Sequence, residues 1–268
     1  MATDALELRV SDALKRAPFV IFSKEAPASL DDFSMDDSFQ YFYFNDLMQT
    51  LSGLSPSFLT NGRNAKTDFP EDFEAYFSDD VDVCKSFLHP KIKIIFEPWR
   101  TPLRSTVLAT RKTAMTFQDR LFMLGCFSPV DDMEMSFTDF STTVSFPELP
   151  DLGLPVPWQL AAFEQLPNAM AILDGDLVVQ NHLARALGTE VLTFIIDLCR
   201  SCEARSPPHG TPSRSPRYWN LQQAVPGHGP MRIWWWQPTD EPWRCLALKP
   251  LEPDVLERAR FARHAESR

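Results

Sequence analysis

The stretch from residue 39 to residue 88 limits the possible folds of this chain more than any other. It begins with the aromatic run Gln40–Phe44, which has the length and composition of a β-strand. An acidic segment that starts near Pro70 then carries apolar side chains at helical spacing. A strand, a short helix, a break and an amphipathic helix in this order predict a half-barrel that encloses a pocket rather than an open catalytic cleft.

Five strand-like runs flank the helices of this first half. Two of them, at 19–22 and 40–44, come before the helices, and three follow at 91–96, 106–113 and 121–127. This order predicts an antiparallel five-stranded sheet with the helices on one face.

The second half repeats the pattern more weakly from about Pro155. Asp174 and Gly175 are a hairpin turn signal between two apolar runs. The predicted strands are 169–173, 177–181, 218–225, 231–236 and 243–248, and the predicted helices are 157–165, 184–187 and 191–199. The fold class predicted for the chain is therefore α+β, with two domains, each a five-stranded antiparallel sheet with helices on one face, plus terminal helices.

The predicted organisation has five parts. Residues 1–17 form an amphipathic helix, 18–130 the first domain, 131–154 a linker, 155–250 the second domain and 251–268 the start of a further helix. The apolar side chains of that last segment lie at a spacing suited to a parallel helix pair; they are Val255, Leu256, Ala259, Phe261 and Ala262. We therefore expect a homodimer whose last helix leads into another domain.

Charge and cysteine content exclude several classes of function. Up to residue 150 the chain has 14 Lys and Arg against 23 Asp and Glu, and afterwards 12 against 13, so the net charge of −10 lies mainly in the first half. Such an acidic chain is not expected to bind nucleic acid. No apolar run approaches the roughly 20 residues that cross a bilayer. Five scattered cysteines indicate reduced thiols, and we expect a cytoplasmic protein without a membrane partner.

Several motifs in residues 18–127 resemble those of PAS domains, the small sensory modules of bacterial signalling proteins. Phe44-Asn45-Asp46 is similar to the family's strand-to-helix junction, and Gly53-Leu54-Ser55-Pro56 to its Gly-Tyr/Leu-Ser-Pro segment. Residues 64–68 and 70–73 resemble its Gly-Lys-Thr-Asp and Phe-Pro-Glu stretch, with Asn64 and Ala65 in place of the glycine. Residues 77–83 are similar to its Asp-Asp helix.

The second half resembles the family less closely. Residues 163–174 are similar to the usual opening of a PAS domain, and Val179-Gln180-Asn181 to its Val-Xaa-Asn junction. The middle is shortened after Gly188, and the Gly-Tyr-Ser-Pro segment is missing. The resemblance implies a tandem PAS region of the kind that regulates a histidine kinase or a cyclic-dinucleotide enzyme.

The resemblance also implies a ligand pocket between the inner face of the sheet and the helices. The residues expected to line it are Phe42, Phe44, Asn45, Met48, Phe73, Phe77, Phe96, Trp99, Leu108 and Met123. A mostly apolar lining suits a small organic ligand. The alternatives are that the apolar residues simply form the core, and that Asn45 caps the next helix.

Haem- and flavin-binding relatives suggest two cofactor hypotheses. His89 lies where haem-carrying members place their iron ligand, but Pro90 follows it directly and indicates a helix end or loop. Residues 61–64 are similar to a photosensor motif, although Ala65 stands where the reactive cysteine is expected. A small organic ligand is favoured over both haem and flavin, and no metal site is expected.

Two further groups of residues have competing interpretations. Cys199 and Cys202 are spaced like a zinc or redox pair, but no second pair accompanies them, and two helical thiols are the favoured interpretation. Because side chains alternate along a strand, at least one of Trp234, Trp235 and Trp236 is expected to lie off the core face. There it could pair with another subunit or with the first domain, although ordinary sheet packing is equally favoured.

The acidic cluster Asp79, Asp80 and Asp82 could indicate acid–base chemistry, but consecutive aspartates on a helix usually form a solvated face. We therefore do not expect an enzyme. The expected function is a sensory module in which the first domain binds a small ligand. The second domain and the C-terminal helix would relay its presence to an output kinase or cyclase domain of a larger protein. The alternatives are a ligand-free scaffold for dimerisation or interaction, and a haem- or flavin-based redox or gas sensor.

Overall fold

The computed structural model describes residues 2–30, 39–53, 70–89, 91–101, 104–133, 135, 155–205, 217–252, 254–255 and 257–258. Within these residues the chain has two sheets of five antiparallel strands with accompanying helices, which confirms the predicted α+β class. It divides into two compact units. The first unit comprises residues 19–154 and 254–268, and the second comprises residues 1–18 and 155–253.

The described elements have the following bounds. The strands are β1 Val20–Glu25, β2 Gln40–Phe44, β3 Lys93–Thr101, β4 Arg104–Phe117, β5 Arg120–Phe127, β6 Ala169–Asp174, β7 Leu177–Gln180, β8 Arg217–Val225, β9 Gly229–Gln237 and β10 Arg244–Pro250. The helices are α1 Ala2–Lys15, α2 Asp46–Ser52, α3 Phe73–Cys84, α4 Pro129–Asp132, α5 Val156–Gln165, α6 His182–Leu187 and α7 Thr189–Arg205.

The two sheets share one strand order. In the first unit the order is β2-β1-β5-β4-β3, and in the second it is β7-β6-β10-β9-β8. In both sheets the first strand of the unit is paired with its second and its fifth. The two halves of the chain therefore have the same topology, although their sequences match only in short motifs.

The N-terminal helix belongs to the second unit. Helix α1 packs against α5 and β6, and Val10, Ala13 and Leu14 on its apolar stripe are buried. An ion pair of 2.5 Å joins Arg9 to Asp174 at the end of β6. The N-terminal helix is therefore part of the buried core of the second unit, whose sheet comes second in the sequence.

Strand β4 is longer than the predicted strand at 106–113. It continues to Phe117 because it forms a tight hairpin with β5, in which Phe117 is paired with Arg120. Gln118 and Asp119 form the two-residue turn with φ angles of 49° and 59°. Such a turn is usually signalled by glycine or asparagine, so its two ordinary residues concealed the length of the strand.

The three consecutive tryptophans of β9 are all buried. Trp235 belongs to the helix-facing core with Leu192 and Ile195, whereas Trp234 and Trp236 point to the opposite face of the sheet. The ring of Trp234 lies 6.3 Å from that of Tyr218 on the adjacent strand. Two of these tryptophans therefore lie off the helix-facing core, as expected, but neither is exposed.

Some expectations fall outside the described residues. These are the motif at 54–56, the stretch at 61–68 and most of the linker at 131–154. Of the helix expected from 251 onward, residues 254, 255, 257 and 258 are described and are helical. Of its apolar stripe, Val255 alone is among the described residues.

Candidate functional site

A small cavity lies on the face of the first sheet that packs against α3. Its volume is about 30 Å³. It is lined by Phe22, Lys24, Tyr41, Met48, Tyr76, Glu97, Trp99, Leu108, Thr110 and Phe127. The lining combines aromatic rings with an ammonium group, a carboxyl group and a hydroxyl group, so it is more polar than the apolar pocket that was expected.

Four buried charged side chains form an ion cluster beside this cavity: Lys24, Asp80, Glu97 and Lys112. The Nζ atoms of Lys24 and Lys112 each lie 2.6 Å from one carboxylate oxygen of Asp80. Lys112 also donates a hydrogen bond to Glu97. One helix and three strands thus meet at a continuous chain of ion pairs between two ammonium and two carboxyl groups.

The mutual attraction within the ion cluster outweighs the cost of burial for two of its members. Burial on its own would raise the pKa of Asp80, but the charges and hydrogen bonds of Lys112 and Lys24 lower the pKa of this carboxyl below its usual value. Burial on its own would lower the pKa of Lys112, but the negative charges of Asp80 and Glu97 raise it. Asp80 and Lys112 are therefore held in their charged forms.

Two other residues of α3 close to the ion cluster have raised pKa values. Partial burial raises the pKa of Asp79 from 3.8 to about 6, the charge of Lys112 opposes the rise, and the carboxylates of Glu97 and Asp80 reinforce it. Burial, followed by the charge of Asp80, raises the pKa of the Cys84 thiol. Cys84 is therefore a neutral packing residue.

The interpretation of the acidic cluster on α3 as a solvated face is wrong for Asp80. Asp80 is 1% exposed because it lies on the same stripe as Tyr76 and Val83, which faces the sheet. Asp82 is exposed and lies 2.9 Å from Lys93, as expected of a surface residue. A difference of two positions on the helix separates the buried ion from the solvated one.

Two polar groups that line the cavity have unused hydrogen-bonding capacity. Among the described residues, the buried Oγ1 of Thr110 has no hydrogen-bond partner. Lys24 donates one hydrogen bond in the same part of the chain, to Asp80, although an ammonium group has three donors. Its Nζ lies 5.2 Å and 5.4 Å from the ring centres of Tyr41 and Tyr76, so two aromatic faces also stabilise its charge.

The structure brings three of the predicted pocket residues to the cavity wall. Met48 on α2, Trp99 on β3 and Leu108 on β4 line it. Phe44, Phe73 and Met123 are buried in the same unit but are not among its lining residues.

The other aromatic residues of the prediction point elsewhere. Phe42 packs on Phe122 at a ring separation of 4.9 Å, on the face of the sheet away from α3. The register of β1 with β2 shifts between Ser23 and Lys24, and Tyr41 consequently takes the position opposite Lys24. Phe96 also lies on the outer face, since the adjacent Glu97 points inward.

Phe77 contacts two aromatic neighbours at the rim of α3. Its ring lies 5.5 Å from that of Phe73 and 6.1 Å from that of Phe39. The side chain is half-buried and is not among the residues that line the cavity.

Asn45 is engaged in holding the fold together. Its Oδ1 accepts hydrogen bonds from the backbone N–H groups of Ile21 at 3.1 Å and Met48 at 3.2 Å. Its Nδ2 donates to the carbonyl oxygen of Phe19 at 2.8 Å. The residue therefore caps α2 and links it to β1. Gly53, which follows the last residue of α2, has a φ of 70° that suits a glycine C-cap.

The sequence analysis did not predict the four charged residues of the ion cluster, although the sequence pattern contains a signal for two of them. Arg111 and Lys112 are adjacent within a predicted strand, so one basic side chain must point to each face of the sheet. Asp80 follows Tyr76 at helical spacing on an apolar stripe. Lys24 and Glu97 carry no such signal, because each needs a partner that is distant in sequence.

His89, Cys199 and Cys202, on which the cofactor and metal hypotheses rest, are not among the residues that line the cavity. His89 is exposed just beyond α3. All five cysteines are free, and burial raises the pKa of Cys199, with Cys202 one turn away as a smaller cause. Within the described residues, no group of three or more His, Cys, Asp or Glu side chains is placed to hold a metal ion.

The fold and the site define an α+β protein with two sheets of identical strand order, the first of which carries a small cavity beside a charge-balanced ion cluster. A scan against protein-family models finds no matching family, and a search of curated proteins finds no match either. No helix in the described ranges is long and apolar enough to cross a membrane.

Proposed function

We propose that this chain is a tandem PAS-like regulatory module with a sensory site in the cavity of the first unit. The observation that carries the proposal is the cavity between the inner face of the first sheet and α3, whose mainly aromatic and apolar lining includes Lys24, Glu97 and Thr110. The common strand order of both sheets and the motifs around Asn45 and Asn181 support the PAS-like assignment. The module would regulate a kinase or a cyclic-dinucleotide enzyme in the same protein.

Strand β3 offers a route from the cavity to the end of the chain. Glu97 and Trp99 point from β3 into the cavity, and Phe96, directly before Glu97, points to the outer face. The guanidinium carbon of Arg258 lies 5.0 Å from the centre of the Phe96 ring. If the ligand binds more tightly when β3 is in one position than in another, its binding would favour that position of the strand. The change in β3 would then alter how the C-terminal segment packs against Phe96.

A second candidate function is a ligand-free interaction scaffold. The specific observation in its favour is the size of the cavity, which at about 30 Å³ is far below the ~300 Å³ and more of typical ligand pockets. In this alternative the side chains of the first unit fill their own pocket. Dimerisation, which we propose for either function, is checked by sedimentation of the full chain.

Ligand screening with two matched variants tests the proposal. A library of small organic molecules is screened by thermal shift, and hits are confirmed by calorimetry. Leu108→Phe fills the cavity and should abolish the shift, whereas Phe96→Leu on the outer face should leave binding intact. Hydrogen exchange of residues 254–258 should change on binding in the wild type but not in Phe96→Leu. The absence of any hit, or hits that persist in Leu108→Phe, would favour the scaffold.

A further inference from the structure

We infer that the cavity binds a small, electrically neutral molecule that presents an oxygen acceptor to Lys24 and Thr110. This inference rests on the proposed sensory function and specifies the chemical class of its ligand. It follows from three independent properties of the site, namely its size, its unused donors and the sum of its charges.

Size limits the ligand to very few atoms. One water molecule requires ~10–15 Å³ of free cavity space, so about 30 Å³ provides room for roughly two waters or for a compact molecule of a few non-hydrogen atoms. The walls next to this space are the rings of Trp99, Tyr41 and Phe127 and the side chains of Met48 and Leu108.

The unused hydrogen-bonding groups require an acceptor on the ligand. An ammonium group can only donate, and two of the three donors of Lys24 have no acceptor among the described residues. The Thr110 hydroxyl can donate as well, and it is 0% exposed without a partner in the same part of the chain. A carbonyl, amide or hydroxyl oxygen in the cavity would satisfy both groups and remove the cost of leaving them unpaired.

The charges around the cavity exclude an ionic ligand. The ion cluster holds two ammonium and two carboxyl groups, which balance. An anion would add an unbalanced buried charge close to Asp79, Asp80 and Glu97, and a cation would add one close to Lys24 and Lys112. A neutral ligand keeps every ion pair of the cluster in place.

Three isosteric probes separate these requirements. Acetamide, acetate and acetamidinium have the same planar shape and carry zero, negative and positive charge. Binding to the full chain is measured for each by saturation-transfer NMR and titration. We expect acetamide to bind with a dissociation constant in the millimolar range, because so small a ligand makes few contacts. We expect each charged probe to bind at least about tenfold more weakly.

Thr110→Val tests the role of the hydroxyl without changing the shape of the side chain. It should weaken acetamide binding about fivefold or more, while the melting temperature of the free protein stays the same or rises, because an unpaired buried hydroxyl is removed. Thr113→Val, on the same strand but on the opposite face, is the control and should leave acetamide binding unchanged.

Each possible result either supports or overturns the inference. Preferential binding of acetamide that depends on Thr110 supports it. Equal binding of acetate or acetamidinium, full binding in Thr110→Val, or no binding of acetamide overturns it. If the library screen still yields a ligand that Leu108→Phe abolishes, the sensory function stands and the ligand class alone is wrong. If neither the probes nor the library bind, both proposals fail.

Discussion

Asn45 and Asn181 form the same set of hydrogen bonds in the two units. Each Oδ1 accepts from a backbone N–H of the first strand of its unit and from one in the helix it caps, and each Nδ2 donates to a carbonyl oxygen just before that first strand. For Asn181 these bonds join Met170 at 2.9 Å, Ala184 at 3.0 Å and Asn168 at 2.8 Å. In both units the backbone N–H of the asparagine also donates at 3.0 Å to that same strand. One residue type thus closes the same strand-to-helix corner twice.

Replacing either asparagine by alanine should destabilise the unit that contains it. Asn45→Ala and Asn181→Ala each remove three side-chain hydrogen bonds and leave buried backbone groups unpaired, so we expect a loss of about 2–4 kcal/mol in the free energy of unfolding. Urea denaturation followed by circular dichroism measures it. Asn220→Ala, whose side chain accepts a bond from Arg232 at 3.1 Å, is the milder control. A loss no larger than that of Asn220→Ala would contradict the structural role.

Lys112→Met should be far more destabilising than a comparable change on the surface. It leaves Glu97 without its ammonium partner and removes one of the two partners of Asp80, for which we expect a loss of about 3–5 kcal/mol. Adding Glu97→Gln should recover part of that loss, because the buried charges balance again. Lys93→Met, which removes an exposed ion pair with Asp82, should cost at most ~1 kcal/mol. Equal losses for the two lysine variants would show that the cluster is not buried.

The raised pKa of Asp79 predicts a stabilising substitution with a defined pH dependence. The pKa is about 6 in the folded chain and 3.8 in the unfolded one, so the ionised carboxyl opposes folding. This penalty is absent below the unfolded pKa, grows as the pH rises through about 6 and is complete above it. Asp79→Asn should therefore increase the stability by about 1 kcal/mol at pH 8 and have no effect near pH 3.

The exposed Asp82 provides the control for this pH series. A hydrogen bond from Lys93 lowers its pKa, so its ionised form favours folding and Asp82→Asn should not stabilise the chain at pH 8. Denaturation midpoints between pH 4 and pH 8 distinguish the two variants. A stabilising Asp82→Asn, or an Asp79→Asn gain that is the same at every pH, would refute the assignment.

Glu203 should stabilise the second unit because its carboxylate links α7 to two strands, β9 and β10. Its Oε2 accepts from Nε1 of Trp235 at 2.8 Å, and its Oε1 accepts from the guanidinium of Arg244 at 2.6 Å. We expect Glu203→Ala to cost about 1–2 kcal/mol, measured by tryptophan fluorescence during denaturation. Asp197→Ala on the same helix removes an exposed contact of 3.9 Å with Arg200 and should have almost no effect.

Gly125→Ala should disturb the cavity from the side of β5. Gly125 is paired with Phe22 across the sheet, and a Cβ atom at this position would overlap the Phe22 ring. Phe22 lines the cavity, so its displacement should weaken acetamide binding and cost about 1–3 kcal/mol of stability. Unchanged binding and stability in this variant would show that the ring has free space.

Local patterns in the sequence predicted most of the secondary structure. Gln40–Phe44 forms β2 at the expected positions, and Phe73, Tyr76 and Cys84 of the predicted apolar stripe lie on the buried face of α3. These predictions succeed because alternation and helical spacing are properties of a short segment, and burial of one face follows from them directly.

The sequence by itself determined the number and order of strands and the corners closed by Asn45 and Asn181. The tertiary structure alone decided the charged cavity and the unit to which α1 belongs. Lys24 and Asp80 are 56 positions apart, and each has a buried charge that is tolerable only when the other is present. An apolar stripe on a helix likewise predicts that this face is buried, but it does not predict which sheet packs against it. The hydrophobic effect is non-directional, so only the tertiary fold decides the packing partner.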